Sequence, residues 1–352
     1  MQHHAEQASP APVPALTPDA ARQPRHRVAG RSRFEAKKMR KATIPFVLLS
    51  LALTLLAVPA RADDSTAALG AGGIELLHSD HIVMEEQDLF LSSRRVRTRF
   101  LFRNEGAGDI TTLVAFVMPD ILPEDLYKRD DIPLLEQLDF SVTVNGRKRQ
   151  PKADFRAILH GRDVTDRLLE LGVRLDDDRS FLSFIPADLD AKSRDALKAE
   201  GLLHPIFPEL PGWDTRLRLY WEQTFPAGAQ VEIEHVYTPF LGTENIGPGS
   251  LDVASVADAV CLDGERRKRA RALLDKPGSQ ARTLDYVLST GSNWKGPIRA
   301  LAVTIEKQHE TDVVATCLPG LKARGPMIDD VLMKDAKPTQ DIHVLFIEGG
   351  RE

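Results

Sequence analysis

Apolar and polar residues alternate through most of Ile74–Val144. A period of two belongs to strands with one face in a core. The clearest stretch is Arg94–Asn104 (RRVRTRFLFRN). It puts Val96, Thr98, Phe100 and Phe102 on one side and Arg95, Arg97, Arg99, Leu101 and Arg103 on the other. That pattern predicts a half-buried antiparallel strand. Glu105–Gly108 then turns the chain and Ile110–Val117 returns, so the pair reads as a hairpin ended by Pro119 and Pro123. A third strand, Phe140–Val144, runs into Asn145-Gly146, a dipeptide suited to the left-handed backbone of a tight hairpin.

The middle of the chain changes period. Asp163 is placed to cap a short helix over Val164–Leu171 with Gly172 at its end, and Leu189–Glu200 reads as a second helix stopped by Gly201. HPIFPELPGW, from His204, is too rich in proline for regular structure. Leu217, Leu219 and Trp221 then alternate with Arg216, Arg218 and Tyr220. Pro226-Ala227-Gly228 turns, and Val231–Tyr237 is expected to pair back as a second hairpin. Gly242–Gly249 (GTENIGPG) reads as a linker, followed by a basic helix over Glu265–Leu274. Strands are expected at Thr283–Ser289, Ile298–Glu306, Val313–Cys317 and Ile342–Glu348. The expected fold is mainly β: a two-domain, β-sandwich-like architecture with a few short inserted helices. Residues 63–241 form the larger sandwich domain, and 242–352 a smaller one made of a short helix and an antiparallel sheet.

One segment follows neither period. Phe46–Val58 (FVLLSLALTLLAV) is apolar and uncharged, with Arg40 and Lys41 before it and Ala60-Arg61-Ala62 after it. This is the order of a secretory signal peptide over 39–62, cleaved before Asp63. A retained membrane anchor competes with that reading. A spanning helix needs roughly 20 apolar residues, however, and Pro45, Ser50, Thr54 and Pro59 shorten the apolar centre. Residues 1–38 read either as a disordered leader or as translation upstream of a start at Met39. The expected location is periplasmic or secreted.

Charge sharpens this picture. The first 62 residues hold 10 of the 46 Lys and Arg and 3 of the 51 Asp and Glu. That leaves 36 basic against 48 acidic residues, a formal net of −12. A surface so acidic argues against a nucleic-acid partner, whose binding depends on basic groups displacing counterions. The two cysteines, Cys261 and Cys317, both follow the signal segment, and an oxidising compartment favours their pairing. Closing that loop is worth about 4 kcal/mol by loss of unfolded-chain entropy.

Candidate chemistry is sparse. Arg95, Arg97, Arg99 and Arg103 could grip phosphate or carboxylate groups of an envelope polymer through bidentate guanidinium contacts. The ordinary alternative pairs them with acids on neighbouring strands. Trp294, in the loop STGSNWKGP, could be a ligand platform or a packed ring. His78, Asp80, His81 and Glu85 supply at most two or three of the ligands zinc needs, so no metal site and no cofactor are assigned. His235 reads as a packed or partly exposed histidine in preference to a base. No G-x-S-x-G, H-E-x-x-H or Walker pattern occurs.

The sequence therefore favours a non-catalytic exported envelope protein with a binding or scaffolding role. Two alternatives remain: a hydrolase of an envelope component with its site at the domain junction, and an anion-binding sensor using the arginine face. The expected partner is an envelope protein or an anionic polymer, with membrane contact only through an uncleaved signal segment.

Six stretches carry a family resemblance: DSTAALGAGGIEL from Asp64, TTLVAFVMPDI from Thr111, YWEQTFPAGAQVEIEHVYTPFLG from Tyr220, CLDG from Cys261, STGSNWKGPI from Ser289 and DIHVLFIE from Asp341. In that order the chain resembles the bacterial domain-of-unknown-function 4424 family. The resemblance implies an exported, β-rich protein and transfers no catalytic residue.

Overall fold

The alternating segments do become strands, but the two expected hairpins become arches between layers. The structure is a computed structural model that describes residues 67–70, 73–123, 134–175, 185–186, 188–242, 251 and 258–350. The leader, the signal segment Met39–Ala62 and linker residues 243–249 lie outside the described residues.

The chain opens with β1 (Ala67–Gly70), β2 (Gly73–Leu76), β3 (Ile82–Leu91), β4 (Val96–Asn104) and β5 (Ile110–Val117). Then come α1 (Leu134–Leu138), β6 (Ser141–Val144), β7 (Arg147–Arg149), β8 (Lys152–Leu159), β9 (Arg162–Asp163), α2 (Thr165–Glu170) and α3 (Ala191–Ala199). β10 (Asp214–Phe225), β11 (Gln230–Tyr237), α4 (Gly264–Leu274), β12 (Gln280–Tyr286) and β13 (Ile298–Glu306) follow. β14 (Val313–Ala315), β15 (Lys322–Ala323), β16 (Ile328–Ala336) and β17 (Ile342–Glu348) close the chain.

An eight-stranded sheet in the order β15-β16-β13-β3-β4-β11-β6-β7 forms one layer. Against it pack a four-stranded sheet, β5-β10-β8-β9, and a three-stranded sheet, β12-β17-β14. All three share one apolar core. The molecule is thus a mainly β sandwich.

β4 does not pair with β5, nor β10 with β11. Instead β4 pairs with β11 in one layer and β5 with β10 in the other, so two arches nest across the core. Fully buried Asn104 holds the corner. Its side-chain amide donates to the carbonyls of Gly108 and Phe225, each at 2.8 Å, and its Oδ1 accepts from the Gly106 N–H at 2.8 Å. Its backbone also bonds Ala229 and Gly228 on the second arch. The expected Asn145-Gly146 hairpin does form between β6 and β7, with both turn residues at positive φ.

The strand β17 explains the small sheet. Ile342, Val344 and Phe346 enter the main core, whereas Leu345 and Ile347 enter a second cluster with Ala270 and Leu273 of α4. A strand covered on both faces loses its polar alternation, which is why Ile342–Glu348 reads as an almost continuous apolar run.

The large sheet runs across Leu241/Gly242, where the sequence analysis expects a domain boundary. β13, from beyond that point, pairs in parallel with β3, and β16 extends the sheet from β13. Residues 61–352 pack as one compact unit. Among the described residues, only the second cluster, under α4, is built solely of residues after 242.

Candidate functional site

β5 is an edge of the four-stranded sheet and β12 an edge of the three-stranded sheet. Residues at the end of β5, along β12 and around them line a cleft of about 710 Å³. The β12–β17 register sets Asp285 opposite His343, and their side chains meet at 2.6 Å between Oδ1 and Nδ1. Arg216 donates to both oxygens of Asp120, at 2.9 and 2.6 Å. That hydrogen bonding raises the Arg216 pKa despite its partial burial. Asp341 accepts the N–H groups of Leu288 and Ser289 and so fixes the turn after β12. No Ser, Cys or Lys is among the described residues lining this cleft. Thr283 directs its hydroxyl to the Gly242 carbonyl, at 3.4 Å, and not to His343.

Behind Tyr286 and Val287, which line both spaces, lies a chamber of about 60 Å³ between the layers. Phe100, Phe102, Phe116 and Trp294 supply its aromatic wall, and Gln87, His235 and Tyr286 its buried polar groups. Alternation on β11 turns His235 inward. There its ring meets Phe116 edge-on at 4.6 Å and Trp221 at 5.5 Å, while Phe100 and Phe140 each lie 5.4 Å away. Burial pushes the His235 pKa down to about 3 and that of Tyr286 up to about 12. Gln87 donates to the Tyr286 hydroxyl at 3.1 Å, and Tyr286 reaches Thr98 at 3.4 Å. Both His235 nitrogens and Gln87 Oε1 lack a hydrogen-bond partner among the described residues. Each such buried group costs roughly 1–3 kcal/mol, and folded proteins leave few of them unmet.

The arginine face is already occupied by acids. Arg99 bonds Asp88, Glu86 at 3.0 Å and Glu232 at 3.4 Å, and these carboxylates, Asp88 first, raise its pKa. Arg97 lies 3.6 Å from Glu234, and Arg103 bonds Glu85 at 2.7 Å. Burial works to raise the Glu85 pKa, but hydrogen bonds from Arg103 and Gln230 and the charges of Arg103 and Arg299 outweigh it, so the net shift is downward. Arg95 is exposed just before the strand begins. Arg97, Arg99 and Arg103 thus form a cross-strand charge lattice on the outer face.

Trp294 is buried and packs against Phe102 with ring centroids 4.3 Å apart, so the structure places it in the chamber wall. Cys261 and Cys317 form a disulfide with a Cα–Cα distance of 4.9 Å. His78 pairs with exposed Asp80 at 3.5 Å, and no group of three or more metal-ligating side chains occurs among the described residues. The Asp285–His343 pair escaped sequence reasoning, which reads His235 only as a packed or partly exposed histidine. An inward histidine looks like any core position on an alternating strand, and the pair depends on the register between distant strands.

A family model described as a domain of unknown function, DUF4424, matches residues 62–345. The chain belongs to this family. No curated protein matches this DUF4424 chain. A solved structure from Legionella pneumophila, provisionally described as a nutrient binding protein, is similar at 16% identity with a TM-score of 0.41, covering 77% of this chain and 68% of that one. An M1 zinc metallopeptidase from Deinococcus radiodurans is similar at 9% identity with a TM-score of 0.23, covering 76% of this chain and 43% of that one. Likeness at that level carries no weight for the function of the DUF4424 chain.

Proposed function

We propose that this chain is an exported envelope protein that binds a small polar ligand in the cleft between β5 and β12 and performs no covalent chemistry there. The observation that carries this reading is the cleft itself. Its volume of about 710 Å³ lies within the roughly 300–1,000 Å³ of small-molecule sites. Asp285 and His343 keep about half or more of their side-chain surface open, at 49% and 61%, so both can meet a ligand. Three carboxylates, those of Asp120, Asp285 and Asp341, and one guanidinium, that of Arg216, line the cleft, which favours a ligand bearing an amine or several hydroxyls. A hydrolase gains no support, because His343 has no hydroxyl or thiol hydrogen-bonded to it among the described residues. The anion-sensor reading loses ground because Arg97, Arg99 and Arg103 already hold carboxylates. Export is supported by the signal-like segment at 39–62 and by the Cys261–Cys317 bridge.

Thermal shift of the mature protein against spermidine, free amino acids and amino sugars tests the binding role. At least one should raise the melting temperature saturably, and the double substitution Asp285→Leu/His343→Leu should remove that shift. No saturable shift from any of them, or an equal shift in the double variant, rejects the cleft. Intact mass from a periplasmic extract should give a chain beginning at Asp63 with both thiols oxidised. A chain found in the cytosol with its leader attached rejects export.

A further inference from the structure

We propose that the chamber between the layers is a second binding site, for one small uncharged molecule that carries both a hydrogen-bond donor and an acceptor, with His235 as its anchor. His235 is 3% exposed and Gln87 2% exposed, and both line the same space. Neither His235 nitrogen is bonded among the described residues, nor is Gln87 Oε1. A neutral imidazole offers one N–H and one lone pair, and the glutamine carbonyl offers a further acceptor. The complementary ligand is a molecule of the amide or alcohol class. Among the described residues no charged side chain lines the chamber, so an ion placed there would have no counter-charge to offset its lost hydration.

Volume restricts the choice further. An apolar cavity of about 150 Å³ holds benzene. At about 60 Å³ this one admits only a few heavy atoms. Water alone would satisfy the polar groups but would leave Phe100, Phe102, Phe116 and Trp294 facing it. A small amide or alcohol meets both surfaces, placing its polar end on His235 and Gln87 and its carbon end on the rings. Half-buried Thr290 and Asn293, on the single turn Ser289–Asn293, line the outer end. That turn is tied down by the Ser79 N–H donating to the Asn293 carbonyl at 2.8 Å.

The test uses the mature protein labelled with ¹⁵N at histidine and titrated with acetamide, with acetate as a charged control of nearly equal shape. His235→Phe assigns the His235 ring signals by their loss. Acetamide should shift those signals saturably, acetate should not, and calorimetric acetamide binding should vanish in His235→Phe. Should that variant fail to fold, Gln87→Leu replaces it and should weaken acetamide binding about fivefold or more. The proposal is overturned if acetamide gives no saturable shift, if acetate acts equally, if binding persists in the variant, or if a crystal soaked in acetamide shows only water in the chamber. This outcome is separable from the cleft, whose ligands should respond to Asp285→Leu/His343→Leu and not to His235→Phe.

Discussion

His235 is held neutral by its surroundings: aromatic rings stand around it and burial alone lowers its pKa to about 3. In an unfolded chain the same side chain binds a proton near its ordinary 6.5. Above that value neither state is charged and the residue has no effect on pH dependence. Between pH 6.5 and about 3 the unfolded state holds more protons, so stability falls as pH drops, by about 1 kcal/mol per unit. Replacing His235 with Phe removes this term while keeping a ring in the cage. Urea unfolding at pH 6.5 and again at about 4.5 should therefore show the native chain losing about 2–3 kcal/mol more than the variant. Parallel losses in the two proteins would mean that the imidazole reaches a proton acceptor or solvent.

At the scale of elements, the pattern of residues records which face is buried but not which neighbour a strand takes. Val96, Thr98 and Phe102 are buried as the alternation of β4 requires, and Arg97 points outward. The same alternation suits a hairpin or an arch, and the arches at β4–β5 and β10–β11 are held by Asn104, which bonds both turns. β8 (KADFRAIL) and β16 (IDDVLMKDA) went unseen because each mixes charge into a face that is only half covered. α4 was visible, since a basic run with two buried positions, Ala270 and Leu273, needs only local spacing. Of the candidate sites, Trp294 was visible as an aromatic in a loop, while Asp285 and His343 become partners only through the β12–β17 register. Cys261, just before α4, is joined to Cys317, just after β14, so the bridge fastens the helix that covers the second cluster. Closing a loop with a sequence separation of 56 should be worth about 4 kcal/mol, less whatever order the unfolded chain retains. Denaturant unfolding of the Cys261→Ser/Cys317→Ser variant should show a loss of about 2–4 kcal/mol. An unchanged midpoint would mean that α4 holds its place without the bridge.

For the whole molecule, the decisive fact is that the large sheet takes strands from both ends of the chain. β3 has β4 on one side and β13 on the other, and the second pairing is parallel, so the chain must complete nearly all of its course before that edge is covered. Arg299, next to the start of β13, reaches Glu85 and Glu105 and stitches the same seam on the surface. Beneath it Ile298, Leu301, Val303 and Ile305 are almost completely buried in the core shared with Val96 and Phe102. At about 1.5–3 kcal/mol each, those four side chains account for roughly 6–12 kcal/mol of burial. That equals most of the 5–15 kcal/mol by which a typical domain is stable. A fragment of residues 63–241 would lose this layer and expose the edge of β3, while 242–352 alone would keep only the small cluster under α4. Neither fragment should unfold cooperatively by circular dichroism, whereas residues 63–352 should give one sharp transition. A cooperative melt of 63–241 alone would show that the seam between β3 and β13 is an interface between independent units and that the early strands carry a complete core of their own.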